Sequence, residues 1–345
     1  MFLYAAAALA APPVDLRPWA YVKTGFGWIA DSEEVITDQD GLLLYGELGM
    51  DAGFEPARLG ARVSLSLVPD VQLKDAVLSW QPVPALRLDA GQHKVPMGVG
   101  YLASDGRRLL PRPSLAAAEV SSTDLGVGAT GSLLLQGKSR AQISSGLYNG
   151  EGPNRIQNVN RGFLTAQRVL VTPFGARVRP FEGTDGGLYL GVGGGWVWNV
   201  IGEGTTAEEY NHYAGEVQFA WNVLSVQGEA FLGDHRFANS DIEDYTFLAG
   251  YGQVGLFVPV GWAASHVEMV GRGGYDDPNQ TVDGAVGGQI APATIEVTGG
   301  VNVYALDDVD RFHDFKVQLA YTNFREVEGD EVPNDTFVAL VVARF

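Results

Sequence analysis

The stretch Tyr213-Ala-Gly-Glu-Val-Gln-Phe-Ala-Trp221 alternates apolar residues with small or polar ones. Val217 and Phe219 share one face of an extended chain, whereas Glu216 and Gln218 share the other. Because successive side chains of a strand point to opposite faces, this alternation predicts a half-buried β-strand. No segment of the chain has the periodicity of a helix of ten or more residues.

The same alternation recurs from Pro18 to the end of the chain, mostly in segments of about 10 to 13 residues. Strands of soluble sheets usually have about five or six residues, whereas a tilted strand that crosses a bilayer needs about ten. Tight connections alternate with long polar ones, which is typical of transmembrane barrels. The predicted strands are 18–28, 41–51, 57–67, 71–80, 85–93, 124–136, 140–148, 163–172, 187–199, 210–221, 223–234, 244–257, 260–271, 281–290, 293–304, 311–322 and 335–345.

The count of these segments is odd, but a single-chain bacterial barrel has an even number of strands. One assignment is therefore wrong, either because 18–28 pairs irregularly or because a segment near 305–310 is wrongly split. We expect an all-β fold, a transmembrane antiparallel β-barrel of 16 strands, with 18 strands as the alternative. No apolar run reaches the about 18 residues that a membrane-spanning helix needs.

The two ends of the chain and the aromatic residues favour export to a bacterial outer membrane. Residues 1–10 are similar to the apolar part of a signal peptide, although no basic residue precedes them, and residues 11–345 form one predicted barrel domain. Aromatic residues such as Trp28 and Trp80 lie near strand ends, as in the girdles at membrane interfaces. The final strand ends on Phe345, the type of ending that the outer-membrane assembly machinery recognises.

Composition and motifs argue against an enzyme. The chain has no cysteine, which excludes disulfides, thiolate catalysis and cysteine zinc sites. No nucleophile elbow, P-loop or HExxH motif occurs. His235 and His313 each neighbour an aspartate, which leaves an outer-membrane hydrolase as a distant alternative, and the acidic run 307–310 fits a solvated loop better than a cation site. We expect no catalytic residue, no cofactor, no metal site and no nucleic-acid partner.

The net charge of −18 is unevenly distributed along the chain. Residues 93–179 contain 11 basic and 4 acidic residues, a net +7, whereas residues 180–310 contain 2 basic and 19 acidic residues, a net −17. In a closed barrel this becomes a division around the lumen, or between the lumen and the loops. Charged side chains lining a pore set its ion selectivity, and Arg and Lys favour anions.

The stretch Gly91 to Ser114, GQHKVPMGVGYLASDGRRLLPRPS, interrupts the strands with a Gly- and Pro-rich segment that gathers basic residues. Guanidinium groups stay charged and present a planar fork of donors that suits oxyanions. These side chains either face the lumen or decorate a rim of the barrel. The candidate constriction residues are Lys94, Arg107, Arg108 and Arg112, and the candidates for the inner wall, on the polar phase of their strands, are Arg62, Arg87 and Arg168.

Three short motifs occur in an order that resembles the phosphate-selective porin O/P family. They are Leu73-Lys-Asp-Ala-Val-Leu-Ser-Trp80, Gly91-Gln-His-Lys-Val-Pro-Met-Gly98 and Leu147-Tyr-Asn-Gly150. The resemblance implies an outer-membrane barrel with a long loop, Val95 to Thr123, folded into the pore. It also implies basic residues at the constriction and a homotrimer.

The second motif supplies the one residue whose role can be carried over. Lys94, Pro96 and Gly98 match the lysine–x–proline–x–glycine pattern of the family, whereas Met97 stands where phenylalanine is expected. Only Lys94 takes its role from the resemblance. The arginines of residues 107–112 lie in the corresponding loop without a motif that assigns their roles.

The sequence therefore predicts a porin that lets small anions or other hydrophilic solutes diffuse passively across the outer membrane, with anion or phosphate selectivity as the sharper hypothesis. Four acids lie on the inward phase of their strands and would weaken that selectivity if they faced the solute. The alternative function is a structural or surface-binding barrel with acidic external loops and no selective conductance. The inward acids are Glu216, Glu229, Glu268 and Glu296.

Overall fold

A computed structural model shows the chain as a closed barrel of antiparallel strands. It describes residues 14–29, 41–67, 71–120, 122–135, 140–158, 162–175, 182–184, 186–239, 241–258, 261, 266–280, 292–305, 312–327 and 334–345. The strands are β1 (Asp15–Ile29), β2 (Gly41–Phe54), β3 (Leu59–Ser66), β4 (Gln72–Val83), β5 (Leu86–Lys94), β6 (Thr123–Leu134), β7 (Arg140–Tyr148), β8 (Leu164–Phe174), β9 (Gly186–Ile201), β10 (Glu208–Asn222), β11 (Leu224–Phe237), β12 (Tyr245–Phe257), β13 (Val267–Asp277), β14 (Thr294–Tyr304), β15 (Phe315–Glu326) and β16 (Thr336–Arg344).

Each strand pairs with its neighbours in sequence, and β16 pairs with β1 through Lys23 opposite Val342, which closes the barrel. The prediction of 16 strands is confirmed. The predicted strand 281–290 lies outside the described residues, and β13 pairs directly with β14 through Val270 opposite Gly300. The predicted strand 260–271 is shifted, because β13 begins at Val267 and its pairing continues to Asp277.

The alternation of the sequence becomes an apolar outer wall and a polar inner wall. On β10, Val217 faces outward and is 43% exposed, whereas Gln218 faces inward and is 5% exposed. On β11, Val226 and Leu232 face outward, and Gln227 faces inward. Since lipid offers no hydrogen-bond partners to the backbone, closure of the barrel is what allows every strand to pair on both sides.

The shortest connections, β2–β3, β4–β5 and β10–β11, lie at one end of the barrel, and the longest, β5–β6, lies at the other. The β10–β11 turn is very short and places Asn222 at a φ of 53°, a left-handed conformation that asparagine tolerates. At the opposite end, residues 95–122 connect β5 to β6 and contain helices α1 (Val99–Leu102) and α2 (Leu115–Glu119). We call residues 95–122 the lumen loop.

None of the helices in the described part of the chain has the length and hydropathy needed to cross a bilayer.

Candidate functional site

The lumen loop is held inside the barrel by apolar packing against the inner wall. Leu109 and Leu110 are buried against Val270 of β13 and Ala320 of β15. Burial of one such side chain contributes about 1.5–3 kcal/mol, so the packing holds the loop firmly. A larger cluster joins Val95, Met97, Ala116, Ala117 and Val120 of the loop to Tyr148, Leu164, Ala166, Val197, Phe231, Phe247, Ala249 and Tyr251 of the wall.

The glycines that follow Lys94 allow the loop backbone to approach the wall closely. A Cβ at Gly98 would lie 2.2 Å from a carboxylate oxygen of Glu229 on β11, and one at Gly100 would lie 2.5 Å from the other oxygen. Gly100 donates its backbone N–H to Glu229 Oε2 at 2.8 Å, and the Tyr251 hydroxyl donates to the same oxygen. A side chain in place of the glycine of the Lys94-x-Pro-x-Gly98 motif would therefore displace the Glu229 carboxylate or the loop.

A buried ion pair between β13 and β14 holds the second half of the lumen loop. The Arg272 guanidinium donates to Glu296 Oε1, with the Nε distance at 2.7 Å, and both side chains are at most 5% exposed. Arg272 also donates to the carbonyls of Arg112 at 3.0 Å and Pro113 at 3.2 Å, and Glu296 Oε2 accepts the backbone N–H of Leu115 at 3.1 Å. Removal of one partner of such a buried pair costs about 3–5 kcal/mol.

The other inward acids are also engaged. Glu216 on β10 accepts two hydrogen bonds from the Arg168 guanidinium on β8, at 2.6 and 2.9 Å. Glu268 is fully buried and accepts hydrogen bonds from the Tyr304 hydroxyl at 2.5 Å and from Asn302 at 3.3 Å. Each of the four inward acids, including Glu229 and Glu296, therefore accepts at least one hydrogen bond from the wall or the loop. They therefore do not form the acidic lining that the sequence allowed.

The open part of the lumen lies on the opposite side, against β1–β5. It is a cavity of about 1240 Å³ bounded by these strands, by the loop tip at residues 102–107 and by parts of the chain near Asn154 and His313. None of the four inward acids lines it. Its charged lining residues are Asp15, Arg17, Glu47, Asp51, Glu55, Arg58, Arg62, Lys74, Asp75, Arg87, Asp89, Lys94, Asp105, Arg107, Asp314 and Arg344.

At the loop tip, one carboxylate lies among several cations. Asp105 accepts from Arg108 at 2.7 Å and from Lys74 of β4 at 3.3 Å. Burial alone would raise the pKa of Asp105, but attraction by Arg108, Lys74, Lys23 and Lys94 outweighs it and holds that pKa well below its usual range. Asp105 therefore remains ionised in mild acid.

The lysines of the tip are held by further contacts. Lys74 also donates to Glu47 at 3.1 Å, and Lys94 donates to the carbonyls of Tyr101 at 2.5 Å and Ala103 at 3.0 Å. We call Lys23, Lys74, Lys94, Arg107 and Arg108, together with Asp105, Glu47 and Asp75, the tip cluster. Its five cations outnumber its three carboxylates, and they still outnumber the acids when Asp314, which lines the same cavity beside residues 105–107, is added.

The seven predicted site residues divide into two groups. Four line the cavity, namely Lys94 and Arg107 at the tip cluster and Arg62 and Arg87 on the wall. The two wall arginines each pair with a carboxylate: Arg62 Nε with Asp51 at 2.7 Å, and Arg87 Nε with Asp89 at 2.8 Å. The cavity lining does not include Arg108, Arg112 and Arg168.

Arg108 and Arg168 have buried ion pairs, whereas Arg112 is exposed and its backbone makes the contact. Arg108 is 7% exposed and pairs with Asp105, and the carbonyl of Arg112 accepts from Arg272. Arg168 is 6% exposed and pairs with Glu216. Sequence reasoning did not single out Lys23, Lys74, Glu47 or Asp105 of the tip cluster, although Lys74 belongs to one of the motifs that carry the resemblance.

The Asn-Gly pair of the third motif anchors the next long connection. Asp124 of β6 is fully buried and accepts the backbone N–H groups of Leu125 at 2.6 Å and Gly150 at 2.7 Å. Gly150 has a φ of 85°, and a Cβ there would lie 2.6 Å from Asn199. The motif therefore has a structural explanation, independent of any solute.

The histidines considered for hydrolysis lie in different places. His235 lies on β11 beside Glu208 and His212, whereas His313 is buried beside Lys316. The acidic run 307–310 lies outside the described residues.

A closed barrel of 16 strands with an apolar outer wall, a polar lumen and a loop folded inside is an outer-membrane β-barrel. No family model matches the chain, and no curated protein is significantly similar in sequence. Solved structures are similar in fold. The outer membrane channel DcaP of Acinetobacter baumannii is 10% identical with a TM-score of 0.62, and covers 96% of this chain and 97% of its own.

Two further structures give the same result. The anion-selective porin of Comamonas acidovorans is 9% identical with a TM-score of 0.63, and covers 96% of this chain and all of its own. OmpT, an outer membrane protein of Vibrio cholerae in trimer form, is 11% identical with a TM-score of 0.61, and covers 97% of this chain and all of its own. Similarity at these identities shows the fold, so the phosphate-selective O/P family stays a prediction.

Proposed function

We propose that the chain is a passive porin whose open path runs between β1–β5 and the tip of the lumen loop, with a moderate preference for small anions. The observation that carries the proposal is the tip cluster, where Lys74, Lys94 and Arg107 line the cavity. Fixed cations beside a water-filled path concentrate anions and repel cations. Phosphate would pass as one of several small anions.

The charges of the whole lining explain why the preference is moderate. Of the charged lining residues given above, eight are Arg or Lys and eight are Asp or Glu. Away from the tip, pairs such as Arg62–Asp51 and Arg87–Asp89 largely cancel each other. The excess of positive charge is confined to the tip cluster, which includes Lys23 and Arg108 behind the lining.

The experiment is a planar-bilayer recording of the full chain under a KCl gradient. Lys74→Gln and Lys94→Gln each remove one lining cation and are expected to move the reversal potential toward cation selectivity. Arg236→Gln is the matched control, because Arg236 is exposed and does not line the cavity. Wild-type preference for cations, or equal shifts in all three variants, would contradict the proposal. Absence of any conductance would favour the structural or surface-binding alternative.

We also propose that the barrel is inserted by the outer-membrane assembly machinery and forms a homotrimer. The apolar outer wall supports the membrane location, and the trimer form of OmpT from Vibrio cholerae supports the assembly state by its shared fold. Cross-linking and light scattering of the detergent-solubilised protein test the trimer, and a monomeric mass would contradict it.

A further inference from the structure

Two histidines meet on the inner wall, away from the proposed anion path. His212 lies on β10 and His235 on β11, near the end of each strand that leads to a longer connection. Their Nε2 atoms are 3.1 Å apart. Neither residue lines the cavity beside β1–β5.

A carboxylate orients one of the two rings. His235 Nδ1 lies 2.5 Å from Glu208 Oε1, so Nδ1 carries the proton that Glu208 accepts and Nε2 keeps its lone pair. Histidines that bind metals commonly donate their other nitrogen to a carboxylate, which sets the tautomer and makes the binding nitrogen more basic. Glu208 supplies this feature to His235.

Aromatic neighbours hold both rings in place. Tyr245 stacks on His235 with centroids 4.4 Å apart and an interplanar angle of 8°. Tyr210 stacks on His212 at 4.6 Å, and Phe247 packs edge-on against His212 at 4.9 Å. The two Nε2 atoms are therefore presented to each other by rings with little freedom to turn.

We propose that His212 and His235 bind one divalent transition-metal ion between their Nε2 atoms, with Glu208 as the residue that orients His235. At metal–nitrogen distances of about 2.0–2.1 Å, two ligands are about 2.9 Å apart at a right angle and about 3.3 Å apart at the tetrahedral angle. The observed 3.1 Å lies between these values. In the metal-free protein the same distance suits one N–H···N hydrogen bond, and the ion takes the place of that shared proton.

The donor set indicates which ions bind best. Imidazole nitrogens suit Cu²⁺, Ni²⁺ and Zn²⁺, and Cu²⁺ binds such sites most tightly in the general order of divalent metals. Within the residues that the structure describes, no three or more metal-ligand side chains gather at one place. The site therefore has two protein ligands, with water in the remaining positions.

The test is titration of the full chain, without a histidine tag and in detergent micelles, with CuCl₂. Calorimetry is expected to give one ion per chain, and paramagnetic resonance of the bound Cu²⁺ is expected to show two nitrogen ligands. His212→Gln and His235→Gln should each weaken binding at least tenfold. Glu208→Gln, which leaves both ligands in place, should weaken it about 10- to 100-fold.

His93→Gln is the matched control, because His93 faces the cavity on another part of the wall and should leave Cu²⁺ binding unchanged. Circular dichroism verifies the fold of each variant. The wild-type resonance spectrum tests the proposal even if a variant fails to fold. A spectrum without two nitrogen ligands, no binding by the wild type, or binding that the His212 and His235 variants leave unchanged would overturn the proposal.

Discussion

Replacement of Asp105 by asparagine tests the electrostatics of the tip cluster most sharply. Asp105 is the carboxylate that Arg108 and Lys74 contact, at 2.7 and 3.3 Å, and it lines the cavity. The substitution keeps the shape of the side chain and removes one negative charge. Lys74 keeps its second carboxylate, Glu47 at 3.1 Å, so the wall beside the loop tip retains an ion pair.

The expected magnitude follows from Coulomb's law. A unit charge about 8 Å from a passing ion interacts with it by about 0.5 kcal/mol in water, and screening over one Debye length at physiological salt reduces this to about 0.2 kcal/mol. Because an anion gains and a cation loses the same energy, the anion-to-cation permeability ratio should rise about two- to sixfold.

The assay is the reversal potential of single channels under a KCl gradient. Asp241→Asn is the control, because it removes the same charge from an exposed residue outside the cavity lining. It should leave the permeability ratio unchanged. An unchanged or lower ratio in Asp105→Asn, in channels of normal conductance, would refute this description of the tip cluster.

Four further predictions concern the loop and the wall. Arg272→Met leaves the Glu296 carboxylate buried without its cation and should lower the free energy of unfolding by about 3–5 kcal/mol, measured by urea titration of tryptophan fluorescence. Gly98→Val forces the loop away from Glu229 and should raise single-channel conductance, whereas an unchanged conductance would show that the contact does not position the loop. The depressed pKa of Asp105 keeps its carboxylate charged in acid. The stability from its ion pairs is therefore present above the ordinary aspartate pKa and is lost only as pH falls through the lower folded-state pKa. The selectivity difference between wild type and Asp105→Asn should persist at about pH 3.5, where an ordinary aspartate, with a pKa of about 3.9, is mostly protonated. Val217→Arg puts a charge on the lipid face and should destabilise the barrel in lipid vesicles by about 2–4 kcal/mol if the site is near the midplane, whereas Val217→Leu should not.

The strands could be predicted because their pattern is local. An inner wall of polar residues and an outer wall of apolar ones impose a period of two, which residues such as Val217 and Gln218 show directly. The number of strands needed one more rule, the even count of single-chain barrels, because alternation alone selected an odd number of segments. The ends of strands could not be read as reliably from the same pattern, and β13 starts later than expected.

The charged lining was harder to predict because an inward-facing residue can either line the open cavity or be buried inside the barrel. Arg62 faces the open cavity, whereas Arg168 has the same phase on its strand and lies buried against Glu216. The difference depends on which side of the barrel the lumen loop covers, and that is decided by apolar packing far along the chain. For the same reason the sequence left open whether the acids of β10–β14 face the solute, and the structure shows that the loop and the wall engage them.

Lys74 was missed for a different physical reason. Strict alternation allows only one of Lys74 and Asp75 to face inward, yet both line the cavity. The pairing of β3 with β4 shifts between Ser64 and Leu65, a β-bulge that changes the phase of the strand. The contact between His212 and His235 could not be predicted from the sequence either, because the register of β10 with β11 brings the two residues together.

The reversal potential of the wild-type channel tests the central claim most directly. With KCl concentrated on one side of a planar bilayer, the tip cluster predicts a potential of the sign for chloride preference, with a moderate permeability ratio. The Lys74→Gln variant should move it toward zero. A wild-type potential of the opposite sign, or no channel activity at all, would contradict the account.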